Sequence, residues 1–102
     1  MVKIQEVLNV TKTVKMVSEN YTCNVEGVVT VDNNQPSHIN DLKVSTKDGR
    51  VLFSGVVRNG NISNANLYGD EEHPNSVIIG TVEEFVNSVK EFDFTNDKNE
   101  DA

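Results

Sequence analysis

The sequence predicts an α+β domain, an antiparallel sheet of about five to six strands packed against one C-terminal helix. Three observations predict it. The apolar side chains are mostly β-branched, with 17 valines and 5 isoleucines against 4 leucines. Such side chains are stiff at χ1 and fit a pleated surface. Asp48-Gly49 and Asn59-Gly60 each stand between apolar runs, and these pairs tolerate the positive φ that both central positions of a two-residue hairpin require. Val82, Phe85, Val86, Val89 and Phe92 repeat at helical spacing near the C-terminal end, which marks one helix with one apolar stripe.

Along residues 2–17 two patterns compete. Val2, Ile4, Leu8, Val10, Val14 and Met16 share the even face of a strand, whereas Ile4, Val7, Leu8, Thr11 and Val14 fit a helical stripe. The Val and Thr content favours a strand, broken near Asn9–Lys12 because the run is long for one strand. Ser18-Glu19-Asn20 reads as a hairpin loop. In the next strand Tyr21, Cys23, Val25, Val29 and Val31 alternate with Thr22, Asn24, Glu26 and Thr30, as expected when one face is wet. Gly27-Val28 interrupts this alternation and suggests a bulge or a close approach. Residues 32–37 read as a loop from their Asp, Asn and Pro content.

The two turn pairs then define a three-stranded meander over residues 42–68. Its middle strand places Val51, Phe53 and Val57 on one face and Leu52 and Val56 on the other, which suits a strand inside the sheet. Residues 69–75 form an acidic loop closed by Pro74. Ser76–Gly80 reads as a short apolar strand. Thr81-Val82-Glu83-Glu84 has the form of a capping box opening a helix over residues 81–92, with both glutamates near the positive helix end. One domain is expected over residues 1–94, followed by a disordered acidic tail over 95–102.

Composition narrows the function classes. A 102-residue chain has room for one core, and its lone cysteine, Cys23, rules out an intramolecular disulfide framework. No apolar run reaches signal-peptide or membrane-spanning length, so the expected location is the cytoplasm and no membrane partner is expected. Cys23 lies on an apolar strand face and reads as a buried small hydrophobe rather than a reactive thiol. His38 and His73 stand in expected loops without zinc-ligand spacing. Glu71/Glu72 and Glu83/Glu84 are sequence neighbours, not separated carboxylates around a cleft. The glycines form no phosphate-cradling motif. The expectation is a protein that is not an enzyme and uses no cofactor and no metal.

Charge carries the strongest functional signal. Residues 1–69 hold six acids and seven bases, for +1, while residues 70–102 hold ten acids against Lys90 and Lys98, for −8. Asp70, Glu71 and Glu72 in the loop, with Glu83, Glu84, Asn87 and Glu91 on the helix surface opposite the apolar stripe, are therefore the candidate partner-binding residues. A row of carboxylates on a rigid element resembles a phosphate backbone and would steer onto a basic protein surface. Small acidic proteins of phages and mobile elements act on host proteins in this manner, and the resemblance is one of composition. Two other readings compete. Lys12, Lys15, Lys43, Lys47, Arg50 and Arg58, with Tyr21, Phe53 or Tyr68, would form a single-stranded nucleic-acid face with an acidic tail as competitor. Alternatively the chain is a homo-oligomeric accessory subunit, pairing as a homodimer through a sheet edge such as Asn61–Tyr68.

Overall fold

The computed structural model describes residues 2–3 and 10–95. Five strands precede one helix: β1 (Thr11–Glu19), β2 (Cys23–Asp32), β3 (Gln35–Thr46), β4 (Val51–Arg58), β5 (Asn61–Leu67) and α1 (Asn75–Glu91). The strands form one sheet in sequence order, each antiparallel to the next. The α+β class, the meander and the C-terminal helix are as the sequence predicts. Residues 11–17 are strand, not helix. The proposed earlier part of that segment at residues 4–9 and the proposed tail beyond Thr95 lie outside the described residues.

Alternation places the core on one face. Cys23, Val25, Val29 and Val31 of β2, Ile39, Leu42 and Val44 of β3, and Leu52, Phe53 and Val57 of β4 are buried beneath Ile78, Val82, Phe85, Val86 and Val89 of α1. Val14 and Met16 of β1 pack against the margin of this cluster. Gly27 leaves room in the core for the Ile39 side chain. A Cβ there would stand 2.6 Å from Cγ2 of Ile39 and 3.5 Å from Cε2 of Phe85. The missing side chain makes the space that the Phe85 ring approaches.

Several expected boundaries move. The segment expected as a loop over residues 32–37 is only the two-residue turn Asn33-Asn34, with φ of 50° and 67°. Asparagine tolerates this region because its short amide bonds locally. Pro36 therefore sits inside β3, where the register against β2 shifts between Thr30 and Val31 and an absent N–H costs little. Tyr21, expected at the start of β2, is fully exposed in the β1–β2 turn, where Asn20 Oδ1 accepts from the backbone N–H groups of Thr22 and Cys23. The expected loop residue Glu19 ends β1. His38, also expected in a loop, lies in β3. Leu52 and Phe53 are both buried instead of facing opposite ways, because the β3–β4 register shifts between Val44 and Ser45.

The helix begins six residues before the expected Thr81. Ser76–Gly80, expected as a strand, forms its first turns. Ile78 stands one helical turn before Val82 and extends the same stripe, a pattern that the β-branched run Val77-Ile78-Ile79 disguises. The N-cap is Pro74, in extended conformation and without a side-chain cap. Its carbonyl accepts from Val77 at 3.0 Å and Ile78 at 3.1 Å. The Thr81 capping box is absent, since Oγ1 of Thr81 donates to the Val77 carbonyl one turn back at 3.0 Å. Glu83 and Glu84 accordingly lie outside the first turn, which carries no acid. Phe92 is the C-cap and is exposed, so it drops out of the expected apolar stripe, and Phe94 is buried in the core instead. The two rings meet at a centroid distance of 4.8 Å.

Two glycine substitutions test this packing in opposite directions. Gly27→Ala drives a methyl into Ile39 and is expected to cost about 1–3 kcal/mol, the range for overpacking. At Gly80 a Cβ would meet nothing within 4 Å, so Gly80→Ala is expected to stabilise by about 1 kcal/mol through helix propensity. Urea unfolding of both variants against the wild type measures each sign.

Candidate functional site

The candidate acids fall into two groups with different surroundings. Glu83, Glu84, Asn87 and Glu91 are exposed on α1 while Val82, Phe85, Val86 and Val89 are buried. At 3.6 residues per turn these four polar positions fall within an arc of about 100° on the solvent side, with Gly80 in its midst. They form one ridge opposite the apolar stripe. None of the three glutamates takes part in an ion pair, and none holds a side-chain hydrogen bond among the described residues. Lys90, the basic residue of the last turn, flanks the ridge near Gly60.

Asp70 belongs elsewhere. Its carboxylate receives Nη2 of Arg50 on one oxygen. The other accepts the His73 backbone N–H at 2.7 Å and lies 3.1 Å from Nδ1 of His73. The Asp70 N–H in turn donates to the His73 carbonyl at 3.0 Å. This closed turn delivers the chain to Pro74 and buries His73. The Arg50 hydrogen bond first, with support from His73, holds the Asp70 carboxyl down at about 2. Gly69 is required beside it, because a Cβ there would stand 2.8 Å from the His73 carbonyl oxygen. Asp70 is therefore a fastener at the helix start, not a free carboxylate. Glu71 and Glu72 are exposed in the same loop, and Glu72 contributes to the field that raises the Arg50 guanidinium.

Three acids of the sheet and its turns are similarly engaged. Glu26, on the sheet face away from α1, lies 3.1 Å from Lys15 and 3.7 Å from Lys43. Lys15 first, then Lys43, lowers its carboxyl below the ordinary range. Glu19 meets Lys47 at 3.2 Å. Asp48 accepts from the Thr46 hydroxyl, which lowers its carboxyl. The basic residues considered for a nucleic-acid face are thus mostly matched to local acids. They are also divided between faces, since Nζ of Lys12 reaches the Phe94 carbonyl on the helix side at 3.5 Å. Phe53, a candidate stacking ring, is fully buried.

One feature of the outer face is not apparent in the sequence pattern. Asp41 and Asn64 adopt positive φ of 52° where β3 and β5 each carry one extra residue against β4. The bulges flank Gly55 and bend the sheet. Between them lies a shallow groove of about 410 Å³ lined by Glu26, Asp41, Lys43, Ser54, Val56 and Asn64. Its only early signal is that Asp and Asn are residue types able to enter this region. Cys23 is buried, as expected. Among the described residues no three His, Cys, Asp or Glu side chains converge on a metal-sized site. No helix there is long and apolar enough to cross a membrane.

No family model, curated protein or solved structure matches this chain. Function is therefore argued from the geometry alone.

The Asp70 fastener makes a pH prediction. Its folded carboxyl titrates near 2, against 3.8 when free. The stabilisation is present above the unfolded value and is lost as pH falls through the folded one. Asp70→Asn is expected to lower the unfolding midpoint at about pH 5 and to match the wild type more closely near pH 2. A difference in midpoint independent of pH would show that the carboxylate charge is not what fastens the turn.

Proposed function

We propose that this protein is a non-enzymatic interaction module whose α1 ridge occupies a basic, nucleic-acid-binding surface on another protein in the cytoplasm. The observation that carries this reading is the contrast between acids. Glu19, Glu26 and Asp70 are neutralised by neighbouring cations, whereas Glu83, Glu84 and Glu91 share one face of a rigid helix with no ion-pair partner among the described residues. Such a row keeps its full field for an incoming cationic surface. It accelerates encounter and suppresses binding to other acidic surfaces.

Glu71 and Glu72 extend the negative potential at the N-terminal side of α1, while Asp70 serves by holding the loop in place. Asn87 lies between the ridge carboxylates and supplies a neutral amide able to donate as well as accept. The apolar stripe gives the ridge its rigidity, because each ridge residue is fixed by the burial of its neighbours along the helix. The reading calls for no cofactor, and the chemistry it invokes is charge matching alone.

Charge reversal tests it. Immobilised wild-type protein is expected to capture a basic protein from lysate of the source cells, with release by added salt and by competing duplex DNA. The triple variant Glu83→Lys/Glu84→Lys/Glu91→Lys is expected to fold with unchanged circular dichroism and to bind the captured protein at least about tenfold more weakly. Undiminished binding by this variant would remove the reading. Retention of the wild type on a single-stranded DNA column would favour the sheet instead.

A further inference from the structure

Among the described residues β5 is an edge strand, and its seven residues are all exposed. It carries no charged residue, whereas the opposite edge, β1, carries Lys12, Lys15 and Glu19. Charge on an edge is a common guard against strand addition, and β5 lacks it. We propose that β5 pairs antiparallel with β5 of a second copy of this chain, joining two sheets into one across a two-fold axis.

The pairing pattern specifies the register. Ile62 stands opposite Val57 and Leu67 opposite Phe53, so both face the helix side, while Ser63 and Asn66 stand opposite Val56 and Ser54 on the outer side. In a regular strand Ile62 and Leu67, five positions apart, would face opposite ways. The extra residue at Asn64 brings them to the same face. A bulge that would otherwise blunt the edge thereby makes β5 symmetric about its own centre. An antiparallel copy can set Ile62 against the partner's Leu67, and Ser63 against its Asn66, with every pair on a common face.

The backbone agrees with this register. The Tyr68 N–H donates inward to the Leu52 carbonyl at 2.8 Å. Alternation along an antiparallel ladder then directs the N–H and C=O of Leu67 to the free edge. β4 is regular from Phe53 to Val57, so Ile62 repeats the arrangement of Leu67. Each copy offers two outward donor–acceptor sets at matching positions. Ile62 and Leu67, each 38% exposed, would be covered by each other across the seam.

This association has its own salt signature. Two chains of net charge −7 repel each other, and screening weakens that repulsion. Dimerisation through an uncharged strand is therefore favoured by salt, whereas docking of the acidic ridge is opposed by it. Light scattering coupled to gel filtration, from micromolar to millimolar protein, is expected to show the mass rise from 11.3 kDa to twice that value, at lower concentration when salt is added. Ile62→Lys places a charge on the edge and is expected to stay monomeric over the same range. In the Ser63→Cys/Asn66→Cys variant the non-hydrogen-bonded pair lies within disulfide reach, so mild oxidation is expected to give a covalent dimer. The charge-reversed α1 variant, whose net charge falls from −7 to −1, is expected to dimerise at least as readily and with less dependence on salt, which separates this proposal from the ridge reading. A monomer at every concentration would overturn it. So would a dimer that Ile62→Lys leaves intact and the cysteine pair does not cross-link.

Discussion

The structure depends on how closely α1 can lie on β2 and β3. Valine-rich strands bury short side chains, so the layer between helix and sheet is thin, and Ile39 beneath Phe85 occupies the room that a Cβ at position 27 would need. Gly27 supplies the space, and Ile39 and Leu42 border it. Interiors are close-packed and transmit a displacement rather than absorb it. Everything borne by α1 therefore inherits its position from this contact: the stripe from Ile78 to Val89, the ridge on its reverse, and the Lys90 end near the β4–β5 turn.

The second constraint is the sorting of charge. Pairs on the sheet unite residues distant in sequence, Lys47 with Glu19 and Arg50 with Asp70. These exposed pairs each contribute little to stability. Their larger consequence is to neutralise Glu19 and Asp70, while Glu71 and Glu72 of the helix-start loop stay exposed. The ridge differs, because helical geometry sets the spacing of its like charges and, among the described residues, none of its carboxylates is ion-paired. The net charge of the last third is thus not a uniform property. Part of it fastens Asp70 to Arg50 and His73, and part stands free on α1.

The fold was legible where one local rule acted alone. Asn59-Gly60 located a two-residue turn in which both positions have positive φ, whereas at Asp48-Gly49 only Gly49 does and the expected two-residue turn is a longer loop closed by the Thr46 N–H on the Arg50 carbonyl. Val82 to Val89 showed a stripe without competition. Reading failed where two rules gave opposite answers. Val77-Ile78-Ile79 favours a strand by composition, but burial of Ile78 against the sheet decides for a helix. Pro36 argued for a loop, but a register shift accommodates it within a central strand. At the site, helical periodicity was enough to group Glu83, Glu84, Asn87 and Glu91. It could not separate them from Asp70, because the Arg50 partner is 20 residues away and only the tertiary fold brings it near. The bulges at Asp41 and Asn64 were likewise invisible, since an extra residue is defined only against a partner strand.

The two proposed surfaces are geometrically compatible. A two-fold axis perpendicular to the joined sheet leaves both helices on the same side, antiparallel to each other. α1 lies chiefly over β3, so five strand spacings of about 4.8 Å would set the two ridges about 24 Å apart before twist. Neither ridge would be covered by the seam. A basic surface long enough to meet both would then bind bivalently, with the second contact made at the high effective concentration that a rigid connection provides. Twist brings a cost to this arrangement, because successive strands rotate by roughly 20–25° and the five steps between the ridges would turn one by about 100–125° relative to the other. The partner surface that suits such a pair is curved, not flat. The same twist that limits the sheet thus defines the shape that two acidic ridges could embrace.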